Sequence, residues 1–318
     1  MGDVYVIVEQ RDGAIAPVTL ELLGKAAEIA PSLGGQAVAV LLGRGGIASS
    51  ASQLAGAARV IVIADDRLGA YTPEGYKAAL AEVLAGREPR LIMVGNTTQG
   101  MDLAAGLSVA LNLPLVAYGT QIAVEGSDVI VTSRVYGGKI DADVVLDAPG
   151  VVSVQAGSFP PGSGAGSPEI EEAKSLSALD GLSTTFKALH EPAGGDVDIT
   201  AQEILVSVGR GIQNADNLEI VQELADSLGG ALSSSRPITD NGWLPKTRQV
   251  GKSGLSVKPK LYLCAGISGA PEHLEGMRDA DLIIAINTDE NAPIFDAAHY
   301  GITADLFDVV PAITERLK

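Results

Sequence analysis

The chain has 318 residues, 46% of them hydrophobic, and a formal net charge of −17. That length and apolar content suit two domains with sizeable cores, and the negative balance argues against nonspecific nucleic-acid binding, which needs a positive face. No apolar run approaches the roughly 20 residues of a membrane-spanning helix, the N-terminus MGDVYVIVEQ lacks the basic region and long apolar stretch of a signal peptide, and the single cysteine, Cys264, has no partner for an internal disulfide, so a cytoplasmic protein without membrane insertion is expected.

From the N-terminus, Val4–Val8 is a continuous apolar run, as expected of a strand buried on both faces. Apolar residues recur at helical spacing over Val18–Ala30. Ala37–Leu42 reads as a second strand, Ile47–Ala55 as a helix of small residues, and Val60–Ala64 as a third strand. Thr72–Leu84 is predicted helical, with Thr72 as cap and Pro73 at its first position. Leu91–Val94 and Met101–Leu111 make the fourth strand and helix, with Asn96-Thr97-Thr98 as a cap. This alternation predicts a parallel sheet with helices on both faces.

Beyond Pro114 the rhythm changes. Val116–Val124, Asp128–Val135, Lys139–Val145 and Val151–Ala156 read as consecutive strands, with Gly126-Ser127 and Gly137-Gly138 as hairpin turns. An antiparallel extension of the parallel core is therefore expected. Gly157–Ser167, rich in Gly, Ser and Pro, reads as an exposed connection. Gly43-Arg44-Gly45-Gly46 could cradle a phosphate, but it has neither the G-x-G-x-x-G spacing nor a Walker Lys-Ser/Thr pair and reads as a tight turn. The N-terminal half is thus read as a scaffold. Thr184–Leu189 could be a short strand. The Pro-Gly-Gly run of Pro192–Gly195 is the best domain boundary, giving domains 1–193 and 194–318; a hinge and a plain surface loop are both consistent with it.

A second strand–helix series begins at Ile204–Val208, followed by Gly209-Arg210-Gly211. Asp216 is placed to cap a helix over Asn217–Leu228, with Glu219 completing a capping box. Ala231–Ser235, Leu261–Ala265, Leu282–Ile286 and Ile302–Ala304 read as strands, Pro293–Ala298 and Val309–Leu317 as helices. Leu261–His273 runs from a strand through a Gly/Ser turn into Pro271 and a short helix carrying His273. The fold class expected is α/β in two domains, a parallel-sheet domain with an antiparallel extension and then a doubly wound, Rossmann-like domain.

In such a sheet, ligands sit beyond the carboxyl ends of the strands. Those ends carry Arg210; Ser235 and Arg236; Ser268, Gly269 and His273; Asn287; and Asp305. Cations, hydroxyls, an imidazole, an amide and a carboxylate on one rim suit a dinucleotide. Gly266 and Gly269 would let the backbone approach it closely, and Pro271 starts a helix whose positive end favours an anion. The connection Pro237–Pro259 holds Trp243 and the run Thr247–Gly254. It is long for a loop, and its glycines and basic residues suggest that it folds over an anionic or flat ligand. Singly, Arg210 reads as a solvated cation and His273 as a surface or capping residue; their convergence points to a ligand.

These residues fall in the motifs GRG (Gly209–Gly211), SR (Ser235-Arg236), QVGKSG (Gln249–Gly254), GISGAPEH (Gly266–His273), AINTDENAPIF (Ala285–Phe295) and DLF (Asp305–Phe307). In that order and spacing the sequence resembles the alpha subunit of electron-transfer flavoproteins, closely from Ile204 onward and in layout before it. The resemblance implies FAD held in the C-terminal domain and a beta subunit packed on the N-terminal one. Electrons would come from acyl-CoA-type or other dehydrogenases, or from NADH, and be relayed onward, with the FAD domain swinging to dock. It implies Arg210, Asn287, Asp305 and Leu306 around the ADP part. Ser235, Val250, Gly251, Ser268, Gly269, Ala270, Pro271 and His273 would line the pyrophosphate, ribityl chain and flavin, with Gln249 and Gly266 completing the set. Arg236, Lys252, Ser253 and His273 would be nearest the isoalloxazine.

On that footing Arg236 would stabilise reduced flavin, Ser253 would hydrogen-bond its N5, and His273 could donate to its carbonyl edge, more strongly if protonated. Where the family commonly has Gln-Thr, this chain has Lys252-Ser253. Serine keeps the hydroxyl; lysine adds a cation that, pointing inward, would raise the FAD potential. The alternative is a stand-alone FAD- or NAD-dependent oxidoreductase on a small substrate. That would need an acid–base group beside a substrate pocket, and of His190, His273 and His299 only His273 falls on the rim.

Overall fold

Residues 2–54, 56–136, 138–162, 167–173, 176–189 and 196–317 are described in the computed structural model of the chain. They form two units, Met1–Ala188 and Leu189–Lys318. The boundary expected at Ala193-Gly194 lies outside the described residues.

The first unit runs β1 (Val4–Ile7), β2 (Gln10–Arg11), β3 (Ala14–Ile15), α1 (Pro17–Ile29), β4 (Ala37–Gly43), β5 (Arg59–Ala64), α2 (Pro73–Ala85), β6 (Leu91–Gly95) and α3 (Thr98–Leu111). It continues with β7 (Leu115–Glu125), β8 (Asp128–Val135), β9 (Ile140–Leu146), β10 (Gly150–Val154) and β11 (Glu169–Glu172). One nine-stranded sheet has the order β11-β5-β4-β1-β6-β10-β7-β8-β9. β1 and β4 are buried at every position, because helices cover both faces. Leu22, Leu23 and Ala26 of α1 pack on one face with Val4 and Val6. Ala79 and Leu80 of α2 and Leu107 of α3 pack on the other with Tyr5 and Ile7.

Several expectations are corrected here. The segments after Pro114 are not four successive antiparallel strands. β7, β8 and β9 form the antiparallel extension, but β10 returns between β6 and β7, parallel to both. All five of its residues are buried, the pattern of an interior strand rather than a half-exposed hairpin arm. Ile47–Gln53 is a 3-10 helix, not an α-helix; Ser49 and Ser52 hydroxyls donate to the carbonyls three residues back, which holds the tighter turn. Thr184–Leu189 is not a strand. Backbone N–H and hydroxyl groups of Ser183 and Thr184 go to the Glu74 carboxylate instead; those bonds hold the Glu74 pKa down at about 2. Thr72 stands at the α2 N-cap without a side-chain cap bond, whereas the Thr97 hydroxyl accepts from Gly100 N–H at the start of α3. Part of the Gly157–Ser167 connection packs down, with Gly162 N donating to Leu20 O at 2.9 Å. Its residues 163–166, and Gly137 of the expected second hairpin turn, lie outside the described residues.

The second unit runs β12 (Ile204–Val208), α4 (Leu218–Ser227), β13 (Ala231–Ser234), α5 (Arg236–Asp240), β14 (Leu261–Ala265), α6 (Pro271–Leu274), β15 (Ile283–Asn287), β16 (Tyr300–Thr303) and α7 (Leu306–Leu317). Its five strands are parallel in the order β13-β12-β14-β15-β16. The chain leaves β12 toward β13 and then crosses to β14 on the other side, so the β12/β14 junction is the switch point. Asp216 does not cap α4. Asn214 caps a 3-10 turn, Ala215–Asn217, that precedes it, by accepting from Asn217 N–H. Pro293–Asp296 is a 3-10 turn rather than an α-helix, and α7 starts at Leu306, ahead of the expected Val309.

Candidate functional site

At the switch point the turns after β12 and β14 lock together. Gly209 N donates to Ala265 O at 2.9 Å and Gly211 N to Gly266 O at 3.1 Å. Gly266 has φ +65°, and a Cβ there would fall 2.8 Å from both Gly211 Cα and Leu306 Cδ2. Only glycine satisfies the conformation and the approach together.

The connection between β13 and β14 is shorter of irregular chain than expected, since it contains α5 and a 3-10 turn at Lys246–Arg248. Trp243 packs on the unit's core instead of over a ligand. What the connection gives the site is the turn Gln249–Gly254. Val250 N donates to Ser234 O, Leu255 N to Gln249 O and Lys252 N to Glu272 O, at 2.9, 2.8 and 2.7 Å. Thr247 and Arg248 just before it are held by Asp196, whose carboxyl Arg248 keeps at a pKa of about 2.

These turns surround a cleft of about 1010 Å³, at the upper end of the size of ligand pockets. Arg210, Ser235, Arg236, Gln249, Val250, Gly251, Lys252, Ser253, Gly266, Ser268, Ala270, His273, Asn287, Asp305 and Leu306 line it. Two of the residues singled out from the sequence do not. Gly269 faces the Pro293–Asp296 turn, where a Cβ would meet Ile294 N at 2.1 Å, and Pro271 opens α6 outside the lining. α6 is only four residues long, too short to sum the dipole expected there. Glu272, within the Ser268–His273 stretch, lines it too, as do Gly211, Gln213, Pro237, Ile267, Ile286, Thr288 and Ala304, which were not singled out from the sequence. Most of them are chain neighbours of a named residue, which is the signal that could have found them.

Asn287 is oriented at both ends, its Nδ2 donating to Ile267 O and its Oδ1 accepting from Asp289 N. One oxygen of Asp305 accepts from Phe307 N. Arg236 reaches Asp240 at 3.1 Å on the surface. Lys252 Nζ lies 3.8 Å from Glu275, with half of its side chain exposed.

His273 departs from the expected surface donor. It is 6% exposed. Its Nδ1 lies 3.2 Å from Val250 O and its Nε2 3.1 Å from the Tyr262 hydroxyl, which lies 2.7 Å from Ser207 Oγ. A carbonyl can only accept, so Nδ1 carries the proton and Nε2 accepts from Tyr262. Burial pushes the imidazole pKa down to about 4, against the smaller lift from Val250, so the ring is neutral at physiological pH. Both nitrogens are engaged, which corrects the picture of a protonated donor at the cleft. Cys264 is fully buried in β14 and burial raises its thiol pKa; it is a core residue.

The arrangement offers cations, backbone at glycine turns and a few oriented polar groups along one elongated cavity. That suits a dinucleotide with a pyrophosphate and a flat ring. Among the described residues no His/Cys/Asp/Glu group could hold a metal ion, and no helix is long and apolar enough to cross a membrane.

Residues 4–177 match the electron transfer flavoprotein domain and residues 198–278 the electron transfer flavoprotein FAD-binding domain. The chain is 34% identical over 321 residues to an electron transfer flavoprotein subunit alpha from Syntrophomonas wolfei, covering 100% of both chains. It is 36% identical over 325 residues to a protein of the same description from Clostridium acetobutylicum, covering 99% of this chain and 96% of the other. A Protein FixB from Clostridium saccharobutylicum is 36% identical over 322 residues, with 99% and 96% covered. The cleft lies in the unit matched to FAD binding, and its volume, arginines and glycine turns fit FAD. The chain belongs to the electron transfer flavoprotein alpha-subunit family and is an FAD-binding electron carrier.

Proposed function

We propose that the chain is the FAD-carrying half of a two-subunit carrier, assembled with an electron-transfer flavoprotein beta subunit. It takes electrons from an acyl-CoA-type or other dehydrogenase, or from NADH, and passes them to a redox partner. The observation that carries this reading is the convergence of Arg210, Arg236, Lys252 and Ser253 on one dinucleotide-sized cleft at the switch point. Bound FAD would supply the electron chemistry; the protein supplies binding, orientation and field.

In this reading Arg210, Asn287, Asp305 and Leu306 hold the ADP part, and Asp305 keeps one oxygen for a ribose hydroxyl. Ser235, Val250, Gly251, Gly266, Ser268 and Ala270 line the pyrophosphate and ribityl chain, with Gly269 and Pro271 shaping that wall from behind. Arg236 and Lys252 place positive charge beside the ring and favour its reduced, anionic form. Gln249 positions Ser253, whose hydroxyl faces N5. His273 serves as a neutral wall. The stand-alone oxidoreductase is less well supported, because the cleft histidine is engaged at both nitrogens. The protein works in the cytoplasm without nucleic acid or membrane insertion; the charge of −17 and the buried free thiol of Cys264 support this.

Co-expression with its beta subunit tests the reading. A yellow complex with a second chain, reduced by NADH or by an acyl-CoA dehydrogenase with its substrate, is expected. A colourless monomer that cannot be reconstituted with FAD would overturn it, and turnover of a small substrate by the chain alone would favour the oxidoreductase.

A further inference from the structure

Ser253 ends a short polar chain that runs back to the backbone of α5. Thr239 Oγ1 lies 3.0 Å from Arg236 O and 2.8 Å from Gln249 Oε1. Gln249 Nε2 lies 2.8 Å from Ser253 Oγ. Gln249 is 2% exposed, so its amide must use these partners in place of water. Its backbone is pinned as well, with N donating to Lys246 O and O accepting from Leu255 N.

Each hydroxyl has one hydrogen to give. In the arrangement just described, Thr239 donates to Gln249 Oε1 and Gln249 Nε2 donates to Ser253 Oγ. The Ser253 hydrogen is then left for the cleft. Rotating the amide by half a turn gives a second arrangement on the same heavy-atom positions. Nε2 now donates to Thr239 Oγ1, Thr239 donates to Arg236 O, and Ser253 donates to Gln249 Oε1. Ser253 then presents only lone pairs to the cleft. The first arrangement is completed by an acceptor in the cleft, the second by a donor. Arg236 O is what makes the second one possible, because it takes the Thr239 hydrogen that the rotated amide no longer accepts.

We propose that Gln249 and Thr239 are positioning residues that let Ser253 switch from hydrogen-bond donor to acceptor when the bound FAD is reduced. The inference rests on the reading that Ser253 faces N5. On reduction two electrons arrive from the dehydrogenase or NADH and one proton from solvent adds at N5, so a lone pair there becomes an N–H. A hydroxyl fixed as donor would then oppose hydrogen to hydrogen, and one fixed as acceptor would oppose lone pairs in the oxidised state. Each mismatch leaves a desolvated polar group unpaired. The relay matches both states without moving the backbone.

The test uses the FAD-loaded complex with its beta subunit, labelled with 15N in glutamine side chains and observed by NMR before and after dithionite reduction. Loss of one amide signal pair in Gln249→Glu, which keeps the side-chain volume, assigns Gln249. The expected result is that Gln249 amide protons contact Ser253 β-protons in the oxidised complex and the Thr239 methyl in the reduced one. Ser253→Ala should abolish that switch and Ser253→Thr should retain it. Amide protons that keep the same neighbours in both states overturn the relay. The visible spectrum of oxidised Ser253→Ala separates two kinds of failure. Unchanged flavin bands mean that Ser253 does not face the ring; shifted bands with a static amide mean that it does and that the relay is wrong.

Discussion

Both units build a parallel sheet from the same strand–helix alternation, yet the carboxyl ends of their strands are finished differently. In the N-terminal unit the polar groups there pair with one another. Thr97 donates to Glu9 at 2.7 Å, Ser153 to Asn96 Oδ1 at 3.0 Å, and Gln10 Nε2 to Leu42 O at 2.9 Å. The β2–β3 hairpin follows directly on β1, and the hollow left beside Arg44–Ile47 is about 230 Å³. In the C-terminal unit the corresponding ends border a cleft of about 1010 Å³. The same architecture thus closes its strand ends in one unit and opens them onto a cofactor-sized cleft in the other. What separates them is whether the strand-end side chains satisfy each other, which fold class does not decide.

The sharpest way to break the contrast is to fill the cleft's glycine joint. Gly266→Val combines a positive φ with a Cβ 2.8 Å from Gly211 and Leu306. It should cost about 3–5 kcal/mol and abolish FAD retention, read by calorimetry and flavin content. Gly126→Ala in the N-terminal hairpin turn also has φ +63°, but nothing within 4 Å of its Cβ; it should cost only about 1 kcal/mol and leave FAD in place.

Acid should act next, through His273. Its folded pKa of about 4 lies below the unfolded value near 6.5. Between the two the unfolded chain binds more protons, so stability is full above about pH 6.5 and falls as pH drops toward 4, by about 3 kcal/mol in total. Denaturant titrations across that window should show the slope, and His273→Gln should flatten it. Arg210→Ala should weaken FAD binding roughly 10- to 100-fold, the worth of one charge-assisted contact, without lowering the unfolding temperature of the FAD-free chain. The smallest effect belongs to the N-terminal unit. Thr97→Val removes both the α3 cap and the partner of Glu9, at about 1–2 kcal/mol, and should leave flavin content unchanged.

Much of this was legible in the linear chain, for a physical reason. Buried strands such as Ala37–Leu42 and Leu261–Ala265 announce themselves as unbroken apolar runs, and a ligand turn needs glycines and polar residues at fixed offsets. What escaped depends on partners far away in sequence. β11 reads EIEE, a poor strand on composition; it pairs at the sheet edge with β5, where Arg59 and Arg87 meet Glu171. The insertion of β10 between β6 and β7 is a choice of topology that its own residues do not encode. Asp216 looked like a cap because local spacing cannot show that Asn214 starts an earlier 3-10 turn. The neutrality of His273 is set by its burial and its tautomer by Tyr262 and Val250, and the relay behind Ser253 depends on Thr239; none of these partners adjoins it in the chain.

Hydrogen–deuterium exchange on the complex with and without FAD locates the cofactor, at the strand ends of the second unit or of the first. FAD should slow exchange at residues 209–213, 249–254 and 266–274 and leave 9–16, 43–53 and 95–99 unchanged. Protection at the N-terminal strand ends, or none across 249–254, would contradict a site in the second unit.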